Sequence, residues 1–295
     1  MSGDGGKDEG ERETSDAAVA TRVGFIGLGS QGAPMAHRIA EEGFPLAVWG
    51  RRPETTSSFA GTAAIVASPR QVAATSDIVC VCVVADRDVE EVVLGADGVL
   101  AGMAPGGILV IHSTVRPDTC SAIAEEATAV GVSVVDAPVS GGGGAAAERR
   151  LLVMAGGERA ALERCRPVFE TFSGSIIHLG PLGSGQMAKL LNNLVFTAQI
   201  TVALETYSFA DRLGIDRRAL AEVLAAGSGG SRAAAIIAAS GFDTTGLRQH
   251  ALPLLVKDTG IMREVAEARG AAPPEKLDEL ARHTLALLAA LADAG

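Results

Sequence analysis

Short apolar runs alternate with stretches of helical periodicity from Val23 to about residue 182. Five of these runs have the length and composition of buried strands: VGFIGLG, PLAVWG, DIVCVCVV, GGILVIHST and VSVVDAP. Strands that alternate with helices form βαβ units, and such units build a mostly parallel sheet. We therefore expect an α/β domain over residues 20–182.

The strand signal stops after about residue 182, and the rest of the chain has the pattern of helices. We expect helices over 185–213, 216–226, about 250–269 and 275–292. Asp216 has the position of an N-cap for the second of these, and Gly227 has the position of its end. The sequence thus predicts an all-α domain over residues 183–295.

Acidic residues outnumber basic ones by 35 to 25, which gives a net charge of −10, and the chain has one Trp and one Tyr. A negative surface repels phosphate backbones and anionic lipid headgroups, and few rings are present to stack on bases. This composition argues against nucleic acid or a membrane surface as the partner.

The first 19 residues are acidic and glycine-rich, and they contain few apolar side chains. We expect a disordered tail over residues 1–19, because this composition buries too little surface to fold. The tail lacks the basic start and apolar run of a secretory signal. No later stretch of about 18 residues is free of charges and turn signals. We therefore expect a cytoplasmic protein with no membrane span.

Cys80 and Cys82 lie two residues apart on a predicted strand, on the same face. No His and no second Cys pair stands at ligand spacing nearby. We expect buried free thiols here and no metal site in the protein.

The turn after the first predicted strand carries the pattern G-x-G-x-x-G and runs directly into a helix. Glycines in such a turn allow close approach of a pyrophosphate, whose charge the helix N-terminus stabilises. The predicted cofactor-binding residues of this turn are Gly27, Leu28, Gly29, Ser30, Gln31 and Gly32. The alternative is a glycine-rich turn with no ligand.

Arg51 and Arg52 follow the second predicted strand, where a site that prefers NAD would place a carboxylate for the ribose hydroxyl. Arginine makes bidentate contacts with phosphate, so this pair suits the 2′-phosphate of NADP. We expect NADP in preference to NAD. The alternative is that one or both arginines face water.

Lys189 and Asn193 lie four residues apart on a predicted helix, on one face, among apolar neighbours. A charged amine in such surroundings is costly unless its side chain reaches solvent or lines a cleft. A partly desolvated lysine has a lowered pKa and can exchange a proton with a substrate hydroxyl near neutral pH. We expect Lys189 to be the catalytic residue, with Asn193 orienting the substrate oxygen or the amine.

A strand end followed by glycines supplies a second predicted binding element. Ser140, Gly141 and Gly142 offer a hydroxyl and backbone N–H groups, and we expect them to bind a substrate carboxylate. A flexible glycine loop is the alternative.

Five stretches in this order resemble the 3-hydroxyisobutyrate dehydrogenase family, also called the β-hydroxyacid dehydrogenases. They are GFIGLGSQGAPMA, HSTVRPDT, DAPVSGG, GSGQMAKLLNN and LLVKD, and the likeness extends over about residues 22 to 275. The resemblance implies a Rossmann-type, doubly wound sheet domain joined by a long helix to an all-α domain. It also implies a cleft between them and assembly as a homodimer or homotetramer.

The resemblance further implies an oxidoreductase that interconverts a small hydroxyacid and its semialdehyde with NAD or NADP and no metal. Lys189 then matches the catalytic lysine and Asn193 the substrate-binding asparagine. Thr114 falls where the family places a residue near the nicotinamide. Lys257 with Asp258 matches a late pair that lines the cofactor and substrate cleft, so Thr114 and Lys257 are predicted to bind the cofactor. Several positions depart from the pattern and leave the substrate open: Gln31, Arg38, Ala145, Arg149 and Arg232.

Three rival functions remain. An imine reductase shares this fold, although such enzymes typically carry Asp or Tyr in place of the lysine. A non-catalytic NADP-binding scaffold is the rival from a different class, and a rate assay on a panel of hydroxyacids separates it. A histidine-based dehydrogenase would use His112, but no Asp or Glu is placed by the sequence to orient that ring.

Overall fold

The computed structural model describes residues 20–293. The acidic segment 1–19, for which the sequence predicts disorder, lies outside the described residues. The predicted division at residue 182 also stays a prediction. In the described chain the last strand ends at His178 and the longest helix begins at Ser184.

A six-stranded parallel sheet forms the first half of the chain. Its strands are β1 (Val23–Ile26), β2 (Leu46–Trp49), β3 (Ala64–Ile65), β4 (Ile78–Val81), β5 (Ile108–Ile111) and β6 (Ser133–Asp136). They lie side by side in the order β3-β2-β1-β4-β5-β6, and every neighbouring pair is parallel. The strand order reverses between β1 and β4, and ligands of doubly wound sheets bind beyond the carboxyl ends of the strands at this point. The predicted Rossmann-type fold class is confirmed.

Helices cover both faces of this sheet, which is why its strands are apolar on both sides. They are α1 (Gly32–Glu41), α2 (Pro69–Ala74), α3 (Asp86–Leu94), α4 (Pro117–Ala129) and α6 (Arg159–Glu170), with a 3₁₀ turn at Pro53–Phe59. The short helix α5 (Gly142–Ala147) packs against α1. Phe25 packs into the core on one face and the next residue, Ile26, into the core on the other. Neither side chain has any exposed surface.

A small second sheet extends the α/β half. It contains β7 (Val139–Ser140), β8 (Leu151–Ala155) and β9 (Ser173–His178). β8 lies in the middle, antiparallel to β7 and parallel to β9. Because β7 ends at Ser140, this sheet fixes the start of the predicted carboxylate loop.

Helices make up the described chain after Ser184. They are α7 (Ser184–Arg212), α8 (Arg217–Ala226), α9 (Arg232–Ala239), α10 (Leu252–Ala268) and α11 (Glu275–Asp293), with a π-helical turn at Leu247–Ala251 before α10. The carboxylate of Asp216 accepts hydrogen bonds from the backbone N–H groups of Arg218 and Ala219, so the predicted N-cap is confirmed. The sequence pattern did not predict α9.

α7 is the central helix of this half and packs against α9, α10 and α11. By length and composition alone it is the one described helix that could cross a membrane. A helix at the centre of a soluble core passes the same test. Polar contacts inside the bundle agree with a core helix, since Thr284 Oγ1 donates to the Thr197 carbonyl oxygen at 2.6 Å.

Candidate active site

A cleft of about 750 Å³ lies between the carboxyl ends of the parallel strands and the helical half. It therefore lies where the strand order predicts ligand binding. Four predicted elements meet in it: Gly29–Gly32, Thr114, Ser140–Gly142 and the α7 face with Lys189 and Asn193.

The glycine turn at the mouth of the cleft has the geometry of a dinucleotide cradle. Gly27 has a φ of +95°, and a Cβ there would lie 2.3 Å from the Cys82 carbonyl oxygen. A Cβ on Gly32, the first residue of α1, would lie 2.0 Å from the Gly27 carbonyl oxygen. Gly29, by contrast, has open space around its Cβ position. The turn is thus closely packed on its protein side and open toward the cleft, as a bound pyrophosphate requires.

Not every predicted residue of this turn lines the cleft. Ser30 and Gln31 line it with the second and third glycines, whereas Gly27 and Leu28 are absent from its wall. Leu28 is buried in the core under α1. These two residues shape the turn from beneath.

Arg51 and Arg52 lie beyond β2, and neither forms part of the described cleft wall. Arg51 Nη2 lies 2.9 Å from Asp88 Oδ1 and 3.3 Å from Glu91 Oε2 on α3. Arg52 is exposed, with Nε 3.9 Å from Glu54 Oε1. A 2′-phosphate would therefore compete with the Asp88 and Glu91 carboxylates for the Arg51 guanidinium. In the sequence these two residues are visible only as part of the acidic stretch DRDVEE.

The start of α7 is fixed to the sheet by a buried carboxylate. Asp136, at the end of β6, accepts hydrogen bonds at 2.7 Å from the backbone N–H groups of Gly183 and Gln186. Burial raises the pKa of Asp136, and these hydrogen bonds to the helix start oppose that rise. Gly185 must be small, because a Cβ there would lie 2.3 Å from the Met154 carbonyl oxygen.

The side chain of Gln186 joins α7 to the loop that carries Thr114. It is fully buried, its Nε2 donates to the Ser113 carbonyl oxygen at 2.9 Å, and its Oε1 accepts from the Val115 N–H at 3.1 Å. Sequence reasoning missed this residue and Asp136, although both stand inside the motifs it used. Lys189 follows one turn later, so its position relative to the sheet is set by these contacts.

Lys189 is half-buried on the cleft face of α7. Burial lowers the pKa of the Lys189 ammonium to about 8. The nearby negative charge of Asp258 raises it, and the positive charge of Lys257 lowers it. Both protonation states of the amine are therefore populated within about one pH unit of 8.

Asn193, one turn beyond the lysine, is held by the helix opposite. Its Nδ2 donates to Asp258 Oδ2 at 2.5 Å, and its Oδ1 accepts from Asn192 Nδ2 at 3.1 Å. Asp258 is buried on α10, and its Oδ1 lies 3.0 Å from Lys257 Nζ. The predicted substrate-binding Asn193 thus faces a carboxylate, and its proposed contact with substrate stays a prediction.

Lys257 connects this network to the loop that carries Thr114. Its Nζ donates to the Thr114 carbonyl oxygen at 2.5 Å. The structure thus brings Thr114, Lys257 and Asp258 together in the cleft wall, where the resemblance places them.

The predicted carboxylate loop follows β7 and leads into α5. Gly141 and Gly142 have φ angles of +134° and +77°, which a residue with a side chain rarely adopts. A Cβ on Gly142 would meet no atom within 4 Å, so this side of the loop is open. Ser140 and the two glycines all line the cleft, where their hydroxyl and N–H groups suit an anion.

His112 also touches the cleft, but its ring is buried among Phe25, Phe169 and Phe172. Burial lowers the pKa of His112 to about 4, and Nδ1 lies 2.7 Å from the Ala137 carbonyl oxygen. A neutral, enclosed imidazole fits a structural role. Within residues 20–293, no cluster of three or more His, Cys, Asp or Glu side chains could hold a metal ion.

The expected pair of buried thiols is half correct. Cys80 on β4 is buried and free, whereas Cys82 lies beyond the strand end, is partly exposed and lines the cleft. Desolvation raises the pKa of Cys82 to about 12, so this thiol is protonated at neutral pH.

Comparison with known proteins assigns the two halves of the chain. Residues 22–180 match the NAD binding domain of 6-phosphogluconate dehydrogenase, and residues 183–294 match the NAD-binding domain of NADP-dependent 3-hydroxyisobutyrate dehydrogenase. The chain belongs to the 3-hydroxyisobutyrate dehydrogenase family. It is an NAD(P)-dependent oxidoreductase of the hydroxyacid dehydrogenase type, as the five sequence motifs predicted.

Named members of the 3-hydroxyisobutyrate dehydrogenase family are similar over most of the chain. An NAD-dependent L-serine dehydrogenase of Pseudomonas aeruginosa is 32% identical, over 86% of this chain and 88% of its own. A 3-hydroxyisobutyrate dehydrogenase of the same organism is 33% identical, over 72% of this chain and 71% of its own. The solved structure of Mycobacterium tuberculosis 3-hydroxyisobutyrate dehydrogenase with L-serine is 29% identical. The likeness covers 93% of this chain and 94% of that one, with a TM-score of 0.78.

Proposed function

We propose that this protein interconverts a small β-hydroxyacid and the corresponding semialdehyde or oxoacid, with NADP as preferred cofactor and Lys189 as proton donor and acceptor. The observation that carries the proposal is the half-buried Lys189 amine, whose lowered pKa of about 8 occurs in the same cleft as the glycine turn and the Ser140–Gly142 loop. The names of the L-serine and 3-hydroxyisobutyrate relatives support the substrate class, because both compounds are small acids with a hydroxyl on the third carbon.

In this proposal the Ser140 hydroxyl and the N–H groups of Gly141 and Gly142 bind the substrate carboxylate. In reduction, protonated Lys189 donates a proton from Nζ to the carbonyl oxygen as it becomes a hydroxyl. In oxidation, neutral Lys189 accepts the hydroxyl proton. When bound, the nicotinamide supplies the hydride in reduction and accepts it in oxidation. Asp258 accepts a hydrogen bond from Asn193, and its negative charge raises the pKa of Lys189.

The test is a rate assay that follows the absorbance of reduced nicotinamide with methylmalonate semialdehyde, whose product is a β-hydroxyacid. Glyoxylate and succinic semialdehyde, whose products are an α- and a γ-hydroxyacid, test the position of the hydroxyl. Lys189→Met should lower kcat by about 10²–10⁴-fold and leave cofactor affinity unchanged, because it removes only the proton donor. The matched control is Lys276→Met, which changes an exposed lysine on α11. Wild-type turnover in Lys189→Met would refute the role of the lysine. Tight cofactor binding without turnover of any carbonyl would favour an imine reductase or a scaffold.

The preference for NADP rests on Arg51 and is tested by titration of NADPH and NADH. Arg51→Gln should weaken NADPH binding about tenfold or more and leave NADH binding unchanged, because only NADPH carries the phosphate. Glu91→Gln should tighten NADPH binding, since it frees Arg51 from one competing carboxylate. Equal affinity of the wild type for both cofactors would overturn this part of the proposal.

A further inference from the structure

The wall of the cleft contains an arginine that the proposed reaction does not use. Arg232 is the first residue of α9, is exposed, and lines the same cleft as Lys189. Within residues 20–293 its side chain has no hydrogen bond and no ion pair. The guanidinium is therefore free to bind a ligand in the cleft.

Arg232 lies toward the end of the cleft that is remote from the lysine. The wall contributed by α7 includes Lys189, Asn193, Phe196 and Gln199, which recur at helical spacing on one face. At about 1.5 Å per residue, Phe196 and Gln199 lie about 10 Å and 15 Å beyond Lys189 along the helix. α9 packs on the part of α7 that follows, with its Ala233, Ala234 and Ile237 against Ile200 and Ala203. These distances separate backbone positions, and the long side chains of Lys189 and Arg232 cover part of them. A ligand that contacts both side chains extends along the α7 face between them.

The charges that line the cleft are unbalanced. Its described ionisable groups comprise three cations, Lys189, Lys257 and Arg232, and one carboxylate, Asp258, beside the neutral thiol and the neutral histidine. Asp258 already contacts Lys257 and Asn193, so it does not neutralise Arg232. The excess positive charge attracts a ligand with more than one negative group.

The surroundings of Arg232 strengthen such a contact. Apart from Arg232, the parts of the cleft wall contributed by α9, the π-helical turn and the first turn of α10 are apolar: Ile236, Leu247, Ala251 and Leu254. A charge-assisted hydrogen bond gains strength where apolar groups displace water. The position also costs stability, since a cation at the start of a helix opposes the helix dipole, and Ser231 already caps the Ala234 N–H. An arginine is therefore better explained here by ligand binding than by the needs of the fold.

We propose that Arg232 binds a second carboxylate of the substrate, at the end remote from the reacting carbon. This inference rests on the proposed function, and it narrows the substrate class to β-hydroxyacids with two acid groups and their semialdehydes. The carboxylate nearer the reacting carbon occupies the Ser140–Gly142 loop, and the distal one forms a bidentate pair with the guanidinium.

The test compares alcohols that differ only in the distal group. 2-(Hydroxymethyl)glutarate carries the second carboxylate, and 2-(hydroxymethyl)pentanoate is its mono-acid counterpart with a methyl group in that place. We expect kcat/KM of the wild type with NADP⁺ to be about ten- to hundredfold higher for the diacid, as for a charge-assisted contact in an apolar wall.

Arg232→Gln should abolish this preference. It should raise KM for the diacid about tenfold or more, with kcat within twofold, and leave the mono-acid unaffected. Arg218→Gln is the matched control, because Arg218 lies in the first turn of α8 and is absent from the cleft wall. A wild type without preference for the diacid, or an Arg232→Gln enzyme equally impaired on both compounds, would overturn the proposal.

A binding measurement separates failure of this inference from failure of the proposed function. Calorimetry on the NADP⁺-loaded protein should show glutarate binding at least tenfold tighter than butyrate, and Arg232→Gln should remove the difference. If neither alcohol is oxidised but this binding difference is present, the proposed reaction is wrong while Arg232 still recognises a diacid. If the mono-acid is oxidised and glutarate binds no better than butyrate, the reaction stands and the role of Arg232 is refuted.

Discussion

Replacing the candidate catalytic lysine should make the protein more stable at neutral pH. A lysine whose pKa falls from 10.5 to about 8 on folding costs the folded state about 3 kcal/mol for as long as it stays protonated. Lys189→Met removes this cost and keeps a side chain of similar length. Below pH 8 both the folded and the unfolded wild type hold the proton, so we expect the variant to unfold at higher urea concentration there.

The sign of the effect follows from the two pKa values. Between about pH 8 and 10.5 the folded wild type has released the proton while the unfolded chain still holds it, so wild-type stability rises with pH. The advantage of Lys189→Met should therefore shrink by about 3 kcal/mol between pH 7 and pH 10.5.

Urea unfolding of the cofactor-free proteins, followed by circular dichroism at several pH values, measures this difference. Lys276→Met, on the exposed face of α11, should show no such dependence on pH. A difference between Lys189→Met and the wild type that stays constant with pH would refute the assignment of a lowered pKa to Lys189.

Three further predictions concern the walls of the cleft. In the wild type the negative charge of Asp258 raises the pKa of Lys189, so Asp258→Asn should lower that pKa. The fall in kcat/KM for reduction should then occur at lower pH. An unchanged pH profile would show that the two groups are not coupled. Gly29→Ala should unfold at the same temperature as the wild type but bind NADPH about tenfold or more weakly in a fluorescence titration. Gly32→Ala should also unfold at lower temperature, because its Cβ has no space. Gln186→Leu should lower the free energy of unfolding by about 2–3 kcal/mol, because it leaves the buried Val115 N–H and Ser113 carbonyl without partners. A loss below about 0.5 kcal/mol in urea unfolding would contradict this.

The features predicted from the sequence are those that a local pattern determines. Alternating runs predicted the strand and helix order, and the glycine spacing predicted a turn whose Gly27 and Gly32 cannot carry a side chain. The apolar neighbours of Lys189 predicted its lowered pKa. In each case the signal lies within one element or at the junction of two.

The features that were missed depend on partners distant in the chain. Asp136 accepts hydrogen bonds from backbone N–H groups 47 and 50 residues away. Gln186 accepts a hydrogen bond from the Val115 N–H, 71 residues away. No local pattern reveals such a pair. The acidic partners of Arg51 on α3 were missed for the same reason, and α9 is a short alanine-rich helix without the periodicity that marks longer ones.

The buried hydrogen bonds at the start of α7 affect the thermodynamics of ligand binding. Asp136 and Gln186 together join that first turn to β6 and to the loop before α4 through four hydrogen bonds. The backbone that carries Lys189 is thereby ordered during folding, before any ligand arrives. Substrate binding then loses little backbone conformational entropy at this turn, so more of the contact energy contributes to affinity. The same contacts predict that substrate binding changes the backbone of this turn little.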